Sequence, residues 1–305
     1  MKSYAAITLG SNSFNMLVAE TVGNQPQVIA KYKRKVRLAE GIGSDGRLSE
    51  DAMQRGIDCL AMFASMLQQH HIDSDAVAVI ATATLRSISN ADEFNARALP
   101  VLGHPIEIIC GMREAEFIYQ GMIATTPSDD RRLVIDIGGA STEFIIGDGE
   151  QVLFKTSLPF GSVTFNGVFF AEAPIQPLDF DDAAAKVADV LAQHREQMLN
   201  LGWNAVVGAS GAVQSVVEVL QHRRVSETIT LEVLNRLKDE ILAETSLALP
   251  NISGLSAERA PTFAAGVSIL LALFTQLQIK QLNLSGGALR EGVLLMLQQR
   301  LASKK

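Results

Sequence analysis

The chain has 305 residues, 48% of them hydrophobic, and a formal net charge of -7. That length fits one large domain or two, with enough apolar residues for a sizeable core, so global disorder is excluded. The acidic balance argues against a nucleic-acid binder held by broad electrostatics, though a few local cations and backbone N–H groups can still hold a small anion.

Strand signals come first, at 4–9, 14–20 and 27–36, and the short connections make this an antiparallel meander. The first turn, Gly10-Ser11-Asn12-Ser13, is a glycine followed by three small hydrogen-bonding residues. "KYKRKVR" (31–37) alternates, so the third strand has a cationic face, and a solvated edge strand explains it equally well. A helix then opens on Ser49 as N-cap, with Ala52, Ile57, Leu60, Phe63 and Leu67 at helical spacing. "AVAVIATATLR" (76–86) reads as a strand that puts Arg86 at its end, where a phosphate clamp is plausible. Asn90 and Glu93 form a capping-box pattern at the start of the next helix. A strand at 105–110 and a helix from "GMREAEF" with Glu114 near its start complete the first half.

The same grammar restarts at "RRLVIDIGGASTEFIIGDGEQVLFKTSLPFG" (131–161): strand, glycine turn, strand, turn, strand. Helices are predicted at about 181–201, 211–222, 231–244, 257–276 and 288–302, with strands at 204–208 and 281–285. Laying "ITLGSNSFNMLV" over "IDIGGASTEFII" pairs Gly10 with Gly138, Ser13 with Ser141, Thr8 with Asp136 and Asn15 with Glu143. The repeat implies two α/β lobes, 1–124 and 125–305, with the last helix free to pack back on the first. A cleft between such lobes is where a ligand site is expected.

Glycine turns let a backbone approach a ligand, and successive N–H groups in them form concave anion sites. Two further clusters, "GASGAVQ" (208–214) and "LSGGALREG" (284–292), are glycine turns entering helices, whose N-termini attract anions. Asp136 ends an apolar strand and Glu143 lies on the returning one, so the two carboxylates can face one cavity and suggest a Mg²⁺ site. The two cysteines, Cys59 and Cys110, sit in apolar segments without metal spacing and read as buried thiols, which fits a reducing compartment. The longest apolar run, "FAAGVSILLALF" (263–274), is too short to span a bilayer and reads as a buried helix. The N-terminus has no apolar signal core. A soluble, cytoplasmic protein is expected.

In their order, "LGSNSFNMLV", "ATATLR", "DIGGASTEF", "GASGAVQ" and "GGALREG" resemble the exopolyphosphatase / guanosine pentaphosphate phosphohydrolase (Ppx/GppA) family, in its short, two-lobe form. "DIGGAST" is nearer the pentaphosphate-hydrolase branch. The resemblance implies two ribonuclease H-like lobes of the actin-like, sugar-kinase-like ATPase superfamily with an interlobe cleft. The implied activity is removal of the terminal 5′ phosphate of pppGpp, giving ppGpp, or of terminal phosphates of polyphosphate. It places the catalytic glutamate at Glu114, where it would orient or deprotonate the attacking water. Asp136 and Glu143 would hold Mg²⁺, or Mn²⁺. Ser11, Asn12, Ser13, Arg86, Gly138, Gly139 and Ser141 would bind phosphates, with Gly208, Ser210 and Gly287 on the far side of the cleft. No DNA or membrane partner is expected, and a homodimer is plausible by resemblance.

The chain departs from the family at Thr8, where Asp is usual, and in carrying Arg113 and Glu116 with their usual charges exchanged. Three residues apart on a helix, these two can pair. Thr8 cannot supply a carboxylate's charge near a metal. It keeps open a second reading, a binding or sensor protein for phosphorylated guanosine nucleotides.

Overall fold

The computed structural model describes residues 3–303 except 24, 127 and 129. The chain divides into two compact units, Met1–Pro127 with Gly287–Lys305, and Ser128–Gly286. The polar stretch 125–132 contains this boundary, and its residues 127 and 129 lie outside the described ones.

In the first unit β1 (Tyr4–Leu9), β2 (Ser13–Val22) and β3 (Gln25–Lys35) form the antiparallel meander. α1 (Glu50–Gln69) follows, and the Ser49 side chain accepts from the Ala52 N–H as its cap. β4 (Val77–Ala81) runs parallel to β1, then come α2 (Ala83–Ser87), α3 (Ala91–Leu102), β5 (Glu107–Ile108) and α4 (Gly111–Thr125). The sheet order is β3-β2-β1-β4-β5. One face buries Ile7, Phe14 and Met16 with Leu60 and Phe63 of α1 and Phe94 of α3. The other buries Tyr4, Ala6 and Leu17 with Phe117 of α4 and Val293, Leu294 and Leu297 of the last helix.

The second unit repeats the plan. β6 (Arg131–Ile137), β7 (Thr142–Asp148) and β8 (Gln151–Leu158) are antiparallel, and α5 (Ser162–Phe169) and α6 (Pro177–Leu201) follow. β9 (Ala205–Ala209) pairs parallel with β6 and leads into α7 (Ser210–His222), α8 (Leu231–Leu242), α9 (Phe263–Gln276) and β10 (Asn283–Leu284). Read from the other edge, the order β8-β7-β6-β9-β10 is that of the first sheet. α9 is buried on nearly every side, as its predominantly apolar sequence requires. Among the described residues no helix is long and apolar enough to cross a membrane. α10 (Leu289–Ala302) packs on α4 and β1 in the first unit.

Several expectations are corrected. The strand expected over 76–86 stops at Ala81, because β1, its partner, ends at Leu9 and Gly10 turns away; Arg86 therefore lies on α2. The apolar segment 162–169 is a helix where none was expected, and the helix expected from 257 starts at Phe263 after a 3₁₀ turn at Ala260–Thr262. Cys110 is exposed at the N-cap of α4, whereas Cys59 is buried and its thiol is pushed up to about 12 by burial.

Asn90 does not cap α3. Its buried amide accepts from the Leu48 N–H (2.8 Å) and donates to the Leu48 carbonyl (3.0 Å), while Glu93 pairs with Arg47 and Arg97. This clasp ties the loop before α1 to the start of α3. Asn90→Ala leaves both backbone groups of Leu48 without these partners, so it is expected to cost about 1–3 kcal/mol per unsatisfied group, read as a lowered urea midpoint.

Candidate active site

Each unit builds a tight glycine turn at the end of its first strand. The Gly10 N–H donates to the Ser13 carbonyl at 3.1 Å, and the Gly138 N–H to the Ser141 carbonyl at 2.9 Å. Both turns are gripped from behind by the segment that follows the third strand. The Asn12 carbonyl accepts from the N–H groups of Val36 and Arg37, and Ser11's from Ala39. Likewise the Gly138 carbonyl accepts from Ser162 N–H, and Gly139's from Val163 and Thr164. With these carbonyls committed, what the turns can offer a ligand is N–H groups and hydroxyls, which suits an anion.

The second grip depends on a residue that the sequence reading passed over. A Cβ on Gly161 would lie 2.5–2.6 Å from backbone atoms of Gly138, Gly139 and Ala140, so only glycine lets α5 close on the turn. The signal available was "LPFG" ahead of a segment without strand alternation.

Asp136 and Glu143 are register partners across β6 and β7 and are both buried. Residues opposite one another in an antiparallel pair share a face, so the two carboxylates stand side by side. Ser157, opposite Glu143 on β8, donates to it at 2.7 Å, and the Ser210 hydroxyl donates to Asp136. Ser210 is the first residue of α7 and holds φ +66, a region that side-chain-bearing residues rarely adopt. The structure thus joins the "DIGGAS" and "GASG" motifs through one hydrogen bond.

The donor set fits a hard divalent cation: two carboxylates and nearby hydroxyls, all oxygen. No cluster of three or more Asp, Glu, His or Cys that could hold a metal occurs among the described residues, so water would fill most of the coordination shell. Mg²⁺ tolerates such a shell better than zinc or a soft metal does.

The corresponding row in the first unit is Thr8, Asn15 and Lys33. Thr8 is buried, and neither Thr8 nor Asn15 brings a formal charge. Glu114, on the first turn of α4, is buried, and Arg86 reaches it from α2 at 3.3 Å while donating to the Ile109 carbonyl at 2.6 Å. Arg86 is thereby brought to the carboxylate rather than placed at a strand end. Arg113 and Glu116 pair at 2.7 Å on the α4 surface.

Two of the glycines sit in packing positions. Gly208 is buried inside β9, where a Cβ would meet Leu282 and Val213 at 2.7–2.8 Å, so packing alone already requires glycine there. Gly287 belongs to the first unit, with Thr125 2.8 Å from where its Cβ would stand.

The Ppx/GppA phosphatase family matches residues 17–301. This chain belongs to that family. Guanosine-5'-triphosphate,3'-diphosphate pyrophosphatases of Vibrio cholerae serotype O1 and Aliivibrio fischeri are each 46% identical to it over 290 residues, 95% of this chain. The chain spans 58% of the length of these two relatives. An exopolyphosphatase from Cytophaga hutchinsonii superposes with a TM-score of 0.89 at 26% identity, covering 98% of both chains. A Ppx/GppA family member from Aquifex aeolicus, at 23% identity and a TM-score of 0.80 over 100% of this chain and 99% of its own, shares the fold.

Proposed function

We propose that this chain is a metal-assisted phosphohydrolase that removes the terminal 5′ phosphate of pppGpp, or terminal phosphates of polyphosphate. The observation that carries the reading is the buried Asp136–Glu143 pair beside the gripped turn 138–141, on a chain 46% identical to guanosine pentaphosphate pyrophosphatases. The family and the fold both support a phosphoric anhydride as substrate.

In this reading the turns 10–13 and 138–141, with Ser11, Asn12, Ser13, Gly138, Gly139 and Ser141, hold phosphate oxygens through N–H and hydroxyl donors. Asp136 and Glu143 would hold Mg²⁺, which when bound would supply positive charge to the phosphate oxygens. Ser210 and Ser157 fix the orientation of the two carboxylates. Glu114 accepts a hydrogen bond from the attacking water and aligns it for in-line attack, with Arg86 fixing the carboxylate's position. As an anion Glu114 can only accept, which is what orienting a water requires.

The test is phosphate release from pppGpp and from long-chain polyphosphate, with and without Mg²⁺, by wild type and Thr8→Asp. Metal-dependent release by wild type is expected, and the faster substrate names the branch. Wild type that binds pppGpp without releasing phosphate, with activity gained by Thr8→Asp, overturns the reading in favour of a binding protein.

A further inference from the structure

We propose that Lys31, Lys33 and Lys35 form a track along β3 for the remote phosphates of a linear polyphosphate, continuing outward from the turn 10–13. This rests on the phosphohydrolase reading and names how that site holds a long substrate. Five of the seven residues 31–37 are basic, in a chain whose net charge is -7. The register sets Lys35 opposite Ser13, Lys33 opposite Asn15 and Lys31 opposite Leu17. All three lysines therefore share the face of Ser13 and Asn15, at the roughly 7 Å spacing of alternate strand residues. Lys31 and Lys33 are exposed and Lys35 half-buried.

The phase of the strand is fixed. Tyr32 and Arg34, opposite Met16 and Phe14, take the other face, where the Tyr32 hydroxyl meets His70 Nε2 at 2.7 Å. The strand's end is fastened to the turn through Val36, Arg37 and Ala39, and Arg55 donates to the carbonyls of Val36 and Arg37. The row of lysines thus starts at the anion turn and cannot slide past it. Edge protection alone needs lysines somewhere on the strand, not a row in phase with the turn.

The chemistry favours a bare phosphate chain over a nucleic acid. The lysine face carries no aromatic ring on β3 for a base to stack on, since Tyr32 points the other way. Evenly spaced ammonium groups pair with a repeating polyanion as point charges.

The experiment measures binding of labelled long-chain polyphosphate and of tripolyphosphate across a salt series. Glu114→Gln is the background, so the polymer is not consumed. Lys31→Gln/Lys33→Gln is expected to weaken long-chain binding at least tenfold, to change tripolyphosphate binding less than twofold, and to flatten the salt dependence. Lys186→Gln/Arg236→Gln removes the same charge from helices of the other unit and should change neither. Equal losses for long and short ligand, equal losses in the two double variants, or no loss at all would overturn the track. So would single-stranded RNA competing as well as polyphosphate at equal charge, which would make the strand a nucleic-acid surface. Phosphate release by the wild type is read separately. Long-chain binding through the row without release would sink the hydrolase and leave the track standing.

Discussion

Glu114→Gln is expected to slow phosphate release by about 10²–10⁴-fold, the range for loss of a positioned acid–base group. The replacement keeps the size of the side chain and an oxygen that can accept from Arg86, so the contact between α2 and α4 survives without its charge. The loss should fall on kcat, with nucleotide affinity held within a few-fold, because phosphate binding is assigned to the turns. Circular dichroism and the thermal midpoint serve as controls for folding. A variant with wild-type turnover would remove Glu114 from the mechanism. Arg86→Gln separates positioning from chemistry: it should lower kcat less than Glu114→Gln does.

The second large effect is on stability. A Cβ on Gly292 would fall 1.9 Å from the Phe117 carbonyl oxygen, and one on Gly121 would fall 1.9 Å from that of Ala288. α4 and α10 therefore meet backbone to backbone, each through its own glycine. Overpacking a core costs about 1–3 kcal/mol when side chains can give way. Here the obstacle is a helix backbone, so Gly292→Val should cost at least that much. The thermal midpoint should drop by about 2–4 °C for each kcal/mol. Phe117 is three residues beyond Glu114 on α4, so the same variant should also lose activity below its melting range. A variant that melts with the wild type would mean the helices separate freely at this crossing.

The repeat was legible because glycine turns, and the serine whose backbone carbonyl closes each, are local features. Gly10 and Gly138 mark equivalent turns, and Asp136 and Glu143 pair across the hairpin as their spacing implied. Ser49 caps its helix, and Arg113 pairs with Glu116, for the same reason: the partners lie within one helical turn. What was illegible depends on partners far away in sequence. "AVAVIATATLR" has β-branched character to its end, but a strand lasts only as long as its neighbour, and β1 stops at Leu9. Asn90 had a capping pattern at hand, yet Leu48, 42 residues earlier, took its amide. Gly161 gains its meaning only when α5 lies on the turn that begins at Gly138.

α10 has a consequence for the ribosome. It supplies Val293, Leu294 and Leu297 to one face of a sheet whose strands were all made before residue 110. Domains usually fold in order of synthesis, at about 5–20 residues per second of elongation. The second unit, Ser128–Gly286, is continuous and can close as it emerges. The first must wait roughly ten to forty seconds at those rates, with Tyr4, Ala6 and Leu17 lacking their α10 cover. In this protein the half translated first is the half completed last, and the nascent chain offers chaperones an apolar sheet face throughout that interval.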